Sequence, residues 1–387
     1  MPSTSSSINA QQSTGRPVFH DLTIASIDRL GNKAIAVRFA IPDDLRPHYA
    51  FVPGQYLTLR AVVDGADIRR SYSICTAPFD DHIGVGIKLV EGGAFSGHAM
   101  AHFAVGDVIS VMTPQGRFTY DDDVNDSVND AVTDSVNDED AADILLLAAG
   151  SGITPILSIA RTALQTHNSR KVTLVYGNRD SASIMFRAAV EDLKDRFMDR
   201  LRLVHILSRE QRDIDLLNGR VDASKIEALI TSGMIAPDRL KAAYICGPDS
   251  MITDCTNALE KNGVPADRIN FERFTPAGGA TPRKAPARVD ETLNKHKVEV
   301  RLDGAVQTFT IDPAAETLLA AGQRAGLEFP YSCAAGMCCT CRCKLVEGDV
   351  AMDVNFSLEE WEIEAGFILS CQARPKSPSV IIDFDAQ

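Results

Sequence analysis

"YSCAAGMCCTCRCKL", from Tyr331 to Leu345, holds five of the nine cysteines in a chain of 387 residues. Three of them keep the spacing Cys333-x4-Cys338-x2-Cys341, and Cys371 follows after 29 further residues. Thiolates from one tight loop plus one distant cysteine are the plant-type pattern for a 2Fe-2S cluster, so these four are the expected iron ligands. Gly336 lets such a loop fold closely over inorganic sulfides, with backbone amides turned towards them. A zinc ribbon would instead show two Cys-x2-Cys pairs, and this loop has one longer arm. Cys343 enters a strand in "CRCKLVEG" and reads as a packed thiol, while Cys339 fits no ligand spacing and stays ambiguous.

The loop belongs to a terminal segment, 296–387. A chain of this length exceeds one ordinary core, and domains of roughly 100 to 150 residues predict about three. Upstream, "TPAGGATPRKAPARVDET" combines prolines with small and charged residues, a linker composition that marks 275–295. From 143 to 274, apolar runs alternate with helical patterns: "DILLLAAG", a helix from about Pro155, "KVTLVYG", a helix around 183–196, "LRLVHILS" and "KAAYICG". Continuous apolar strands between helices predict a parallel α/β sheet covered on both faces. Residues 17–120 read as short alternating strands, such as "AIAVRFAIP" and "QYLTLRAVVDG", and predict an antiparallel β-barrel or sandwich. Between the two, 121–142 repeats a four-residue unit in "VNDSVNDAVTDSVNDE", too polar to pack, and is expected to be a disordered acidic insertion or linker. The Ser-rich start, 1–16, reads as a disordered tail.

Charge and hydropathy narrow the functional classes. Of the net charge of −13, residues 121–143 contribute ten acidic side chains and no basic one, and 296–387 contribute fourteen acidic against seven basic. Nothing forms the basic stripe that nucleic-acid binding requires. The start has no apolar run, so a secretory signal is not expected. "ILLLAAGSGITPILSIA" is broken by Gly150, Gly152 and Pro155 and falls short of the roughly 20 residues that span a membrane, so no membrane association is expected. A cytoplasmic location follows as the expectation, and an odd cysteine count there favours reduced thiols or metal ligands over a disulfide framework.

A 2Fe-2S cluster needs a source of electrons. "AAGSGITP" places Gly150, Ser151 and Gly152 between an apolar strand and a helix, with Thr154 and Pro155 in its first turn, where amides suit a pyrophosphate. It is not the GxGxxG fingerprint, but its companions strengthen it. Gly177 and Asn178 end the next strand, Ser208 and Arg209 another, and Cys246, Gly247 and Pro248 follow a fourth, which is where doubly wound sheets bind ligands. Arg209 suits bidentate pairing with a ribose phosphate, favouring NADPH over NADH. In the barrel segment, "RRSYSI" offers Arg70 for a diphosphate, Tyr72 for a ring face and Ser73 for a flavin edge. Twenty residues on, Gly93 and Ser96 in "GGAFSGHAM" offer a backbone approach to phosphates.

These motifs, in this order, resemble the ferredoxin-NADP reductase superfamily over about 17–274, followed by a plant-type ferredoxin domain over 296–387. Within that superfamily, "GDVAMDVNFSLEEWEIEAGFILSCQ" and "VYGNRDSASIMF" look like the reductase subunits of phenylacetyl-CoA epoxidases. The resemblance implies a flavin barrel, a nucleotide domain and an α+β β-grasp ferredoxin domain. It implies a flavin site of Arg70, Ser71, Tyr72, Ser73, Lys88, Gly93, Phe95, Ser96 and the C-terminal aromatic Phe274, and it favours FAD where spacing leaves FMN open. It assigns Gly150, Gly152, Thr154, Gly177, Asn178, Ser208, Arg209, Cys246, Gly247 and Pro248 to the nucleotide. Ser73, Cys246 and Glu272 become candidates for positioning the reacting rings. The implied partner is the oxygenase component of a multisubunit monooxygenase. Independently of the resemblance, Glu359, Glu360, Glu362 and Glu364 precede Cys371 on an expected helix, a charged face suited to steering a basic partner surface or simply to solvation. Reductases of ring-hydroxylating dioxygenases or steroid hydroxylases share the design. An iron–sulfur redox sensor is the reading from another class, although it would not need a nucleotide site.

Overall fold

The computed structural model describes residues 17–120, 143–274 and 295–386. The expected tail and acidic insertion lie outside the described residues, as does the expected linker except for Lys295. The chain divides into two compact units, Met1–Phe274 and Thr275–Gln387.

In the first unit, β1 (Phe19–Arg29), β2 (Ala34–Ala40), β3 (Tyr56–Val63), β4 (Ala66–Ser73), β5 (Ile83–Lys88) and β6 (Val108–Met112) form an antiparallel sheet in the order β4-β3-β6-β1-β2-β5. A bridge between Ile74 and Val85 joins its two edges, so the sheet curls into a barrel with a short seam. The hairpin from β3 to β4 turns on Asp64 and Gly65, both at positive φ (51° and 78°). That is the demand of a two-residue type I′ turn, whose twist matches the strands. Ser73, the last residue of β4, is thereby delivered to the seam.

The same unit contains a parallel sheet of β7 (Asp143–Ala149), β8 (Val172–Asn178), β9 (Leu201–Leu207), β10 (Leu240–Gly247) and β11 (Ile269–Arg273), ordered β11-β10-β7-β8-β9. From Ile144 to Ala148 every side chain of the central strand is at most 1% exposed. Each such leucine or isoleucine contributes about 1.5 to 3 kcal/mol of burial. Helices Ile153–Thr166 and Arg187–Arg196 pack on one face, and Ala223–Thr231 and Asp249–Lys261 on the other. The first starts two residues before the expected Pro155. The second starts at Arg187 rather than 183, because Asp180 and Ser183 close a capping box around a separate turn and Phe186 adopts a left-handed φ of 56°. Chain order reverses between β7 and β10, which makes their carboxyl ends the switch point where such sheets bind ligands. The barrel is fastened to this sheet by Ser158 Oγ, which donates to the Thr76 carbonyl (2.6 Å), and by a two-pronged Arg161–Asp80 pair.

The second unit is a mixed sheet of β12 (His296–Leu302), β13 (Ala305–Ile311), β14 (Arg342–Glu347), β16 (Phe367–Leu369) and β18 (Ser379–Asp383), ordered β13-β12-β18-β14-β16. Asp303 and Gly304 repeat the type I′ turn between β12 and β13, with φ of 54° and 70°. Helix Leu318–Arg324 lays Leu318, Leu319 and Ala321 on the core, and β15 (Val350–Met352) pairs with β17 (Ala373–Pro375). This is the expected α+β architecture, with the cysteine loop leading into β14.

Candidate functional site

At the carboxyl end of β7 the chain turns through Gly150 with φ +55° into a 3-10 turn, Gly150–Gly152, and then the helix. A Cβ on Gly152 would lie 2.0 Å from the Cys246 carbonyl oxygen, so the loop after β7 and the end of β10 touch backbone to backbone. A Cβ on Gly150 would lie 3.1 Å from Lys88 Nζ, which brings a barrel cation to the start of the turn. Tyr176 Oη donates to the Gly150 carbonyl (3.0 Å) and holds the turn from beneath. Asn178 Nδ2 is buried without a hydrogen-bond partner among the described residues. Amides at a helix start, a lysine and an orphaned donor fit a phosphorylated ligand. Two expected contributors serve the scaffold instead. Thr154 is 2% exposed and turns its hydroxyl to the Ser151 carbonyl, and Gly177 packs against Val221.

Beside this turn, Ser73 Oγ donates to Glu272 Oε2 (3.0 Å), joining the last residue of β4 to β11. Cys246 and Glu272 are register partners on β10 and β11, so all three candidates for ring positioning converge. Burial pushes the Glu272 carboxyl up to about 8, against the Ser73 hydrogen bond, which lowers it. Burial, together with the Glu272 charge, raises the Cys246 thiol well above its ordinary range. Glu272 therefore holds its proton to higher pH than an ordinary carboxyl does. Ser208 and Arg209 sit at the end of β9, where their amides donate to the carbonyls of Asn178 and Arg179.

The flavin candidates divide by exposure. Arg70 is exposed and Phe274 is 41% exposed, whereas Phe95 is 1% exposed. The Phe95 ring packs 5.8 Å from that of Tyr72 and supports it, rather than offering its own face. Ser96 Oγ accepts from the Val90 amide and donates to the Gly93 carbonyl, so its hydroxyl shapes the loop and leaves only backbone for a ligand. Ser71 faces Thr58 across the β3–β4 pair.

In the second unit, the loop before β14 contains three left-handed residues, Ala334, Gly336 and Cys339. They turn the Cys333 amide to Cys338 Sγ (3.4 Å), and those of Ala335 and Met337 to Cys333 Sγ (3.3 and 3.4 Å). The four expected ligands form two pairs. Cys333 beside Cys338 lowers the Cys338 thiol below its ordinary range, and Cys341 beside Cys371 lowers that of Cys371 likewise. Two pairs of thiolates suit two irons better than one zinc. Cys343 is 1% exposed in the core, as expected. Cys339 Sγ donates to the Ser357 carbonyl (3.1 Å), away from the pairs.

One expected surface charge is corrected. Glu362 is fully buried, ion-paired with Arg342 (2.6 Å) and accepting the Glu359 amide, because Arg342 leaves β14 under the short helix Glu360–Glu364 and needs a counter-charge. The acidic face is therefore Glu359, Glu360 and Glu364. Sequence reading also missed Gln372, whose Nε2 donates to the Ala334 carbonyl and Cys371 Sγ. Its place directly after Cys371 was the one available signal for Gln372.

Comparison with known proteins gives three consecutive domain matches: an oxidoreductase FAD-binding domain over residues 21–120, an oxidoreductase NAD-binding domain over 146–257, and a 2Fe-2S iron-sulfur cluster binding domain over 300–376. Over 369 residues the chain is 42% identical to one of the subunits of the 1,2-phenylacetyl-CoA epoxidase of Escherichia coli (strain K12), covering 95% of this chain and 98% of that one. The chain belongs to the iron–sulfur flavoprotein reductases of oxygenase systems. Another member, the ferredoxin reductase component of 3-ketosteroid-9-alpha-monooxygenase from Rhodococcus rhodochrous, is 34% identical over 368 residues, covering 94% of this reductase and 96% of that protein. In fold, this reductase matches phthalate dioxygenase reductase with a TM-score of 0.59 at 22% identity, over 95% of this chain and 98% of the other. The reductase thus combines FAD, NAD and 2Fe-2S binding domains. Among its described residues no helix is long and apolar enough to cross a membrane.

Proposed function

We propose that this reductase takes electrons from NADPH and delivers them to the di-iron oxygenase component of a phenylacetyl-CoA epoxidase in the cytoplasm. When bound, FAD supplies the conversion of a two-electron donor into one-electron output, which the cluster accepts. The supporting observation is the Ser73–Glu272 hydrogen bond of 3.0 Å, which ties the end of the flavin-domain strand to the end of the nucleotide-domain strand beside Cys246. With Glu272 protonated, the pair presents neutral hydrogen-bonding groups where two rings would stack, and no fixed charge opposes either redox state. Arg70 and the Gly93 backbone serve the flavin phosphates, and Tyr72 serves its ring. Gly150, Gly152, Lys88, Gly247 and Pro248 hold the nucleotide. Cys333, Cys338, Cys341 and Cys371 ligate the irons.

The test is electron transfer by the purified holoprotein. NADPH is expected to reduce cytochrome c through it, and to support epoxidation only when the oxygenase subunits and an aryl-acetyl thioester are present. Absence of flavin absorbance, or no transfer from NADPH to cytochrome c, would sink the reductase reading for this chain. Transfer to a ring-hydroxylating or steroid-hydroxylating oxygenase, and not to the epoxidase, would reassign the partner alone.

A further inference from the structure

On the outer wall of the barrel lies an open cleft of about 650 Å³ that the sites above leave unused, between strands β1, β3 and β6 and the helix Ala94–His102. That helix carries "HAMAH", with His98 and His102 spaced i, i+4 and therefore on one face. Both line the cleft. Their ring centres are 4.9 Å apart at an interplanar angle of 43°, and the Phe103 ring meets that of His98 edge-on at 6.0 Å and steadies it. Neither imidazole makes a hydrogen bond or ion pair among the described residues.

Spacing and charge point to a metal ion. Two imidazoles on one tetrahedral ion, each nitrogen at about 2.0 to 2.1 Å, put their ring centres about 5 Å apart, which is the separation already present. The cleft also favours a cation: Asp21 and Asp107 line it, and its arginine, Arg60, is drawn to Asp67 (3.0 Å). A second histidine pair, His20 and His48 with ring centres 5.5 Å apart, lacks this freedom, because His20 Nδ1 is engaged with Tyr49 Oη (3.2 Å). Ligand type then decides the metal. Imidazole nitrogens suit zinc, copper and nickel, whereas magnesium and calcium demand oxygen.

We propose that His98 and His102 chelate a divalent transition metal of the zinc, nickel or copper kind in this cleft. Two nitrogens are the whole protein contribution among the described residues. Water completes the shell, and the ion is exchangeable. By tying i to i+4 it braces the last turn of a helix whose first turn carries Phe95 and Ser96, the two side chains that support the Tyr72 ring and shape the Gly93 loop. The site stands apart from both the nucleotide and the cysteine loop.

Calorimetric titration of Zn²⁺ into the flavin- and cluster-loaded protein tests it, because a loaded cluster withholds its four expected ligands from zinc. The wild type is expected to bind one ion per chain. His98→Ala and His102→Ala should each weaken that binding at least about tenfold, since losing even a group that only orients a ligand costs as much. His48→Ala and Cys339→Ser should leave it unchanged, and Mg²⁺ should give no comparable binding. Zinc should also raise the thermal midpoint of the wild type and leave the midpoints of His98→Ala and His102→Ala where they were. No zinc binding by the wild type, or undiminished binding by either histidine variant, would overturn the chelate. Equal binding of Mg²⁺ would assign the ion to Asp21 and Asp107 instead, and loss of binding in Cys339→Ser would move it to the cysteine loop; either result sinks the proposal.

Discussion

At the ends of β7 and β10 the backbone is the working surface, whereas between Cys333 and Cys341 the side chains are. The first region removes atoms: Gly152 lets its loop approach the Cys246 carbonyl to a distance no Cβ tolerates, and Gly150 takes a left-handed φ. The second concentrates atoms: four sulfurs in two pairs, with loop amides aimed at Cys333 and Cys338. A site made of backbone is specific to a shape and forgives no added methyl. A site made of ligands is specific to chemistry, and its neighbours tolerate exchange.

That contrast can be broken most severely at the ligands. Cys371→Ala is expected to abolish the 2Fe-2S absorbance and its electron paramagnetic resonance signal, while NADPH-dependent ferricyanide reduction by the first unit persists. Retention of the cluster would show that the distant ligand lies elsewhere. Next, Gly152→Ala should destabilise the first unit by about 2 to 4 kcal/mol, in the range of overpacking at a rigid contact. It should also lower kcat/KM for NADPH, and an unchanged thermal midpoint would refute the close approach. A pH effect of smaller size belongs to Glu272. Its carboxyl holds a proton up to about 8 in the folded chain, against an ordinary value of 4.5. Within that window the unfolded chain has lost the proton that the folded one keeps, so stability falls as pH rises through it and levels off above. Glu272→Gln should remove that slope in a series of thermal midpoints, whereas Ser73→Ala should extend it to higher pH. Smallest of all, Cys339→Ser should leave the cluster spectrum intact, because a hydroxyl also donates to the Ser357 carbonyl. Loss of the cluster would make Cys339 a ligand after all.

The two regions also differ in how far their sequences could be read. Cysteine spacing encodes a cluster directly, since ligand number and loop length are properties of the chain. The glycine turn had meaning only through its companions at the other strand ends, because the contact of Gly152 with Cys246 joins segments that are far apart in sequence. The first unit's two sheets were legible from periodicity, and the helix starts were not: the Asp180–Ser183 capping box closes a separate turn, and the left-handed φ of Phe186 has no signal in the residue type. Glu362 looked like one acid among four, and only its burial against Arg342 separates it from Glu359, Glu360 and Glu364. Ser96 and Phe95 were found as members of a motif, yet their side chains brace a loop and a ring.

The order of strands in the second unit carries a consequence for how the protein comes into being. The middle position of its sheet belongs to β18, which pairs in parallel with β12 and antiparallel with β14. As the chain leaves the ribosome, β12, β13 and β14 emerge with the slot between them open, and β18, which fills it, follows all three in the chain. Pairings of such long sequence separation are slow to form. Three of the four cysteines therefore spend part of synthesis in a loop whose supporting sheet is incomplete, with the fourth still to come. The complete four-cysteine site thus exists only once Cys371 has been made and β18 can close the sheet.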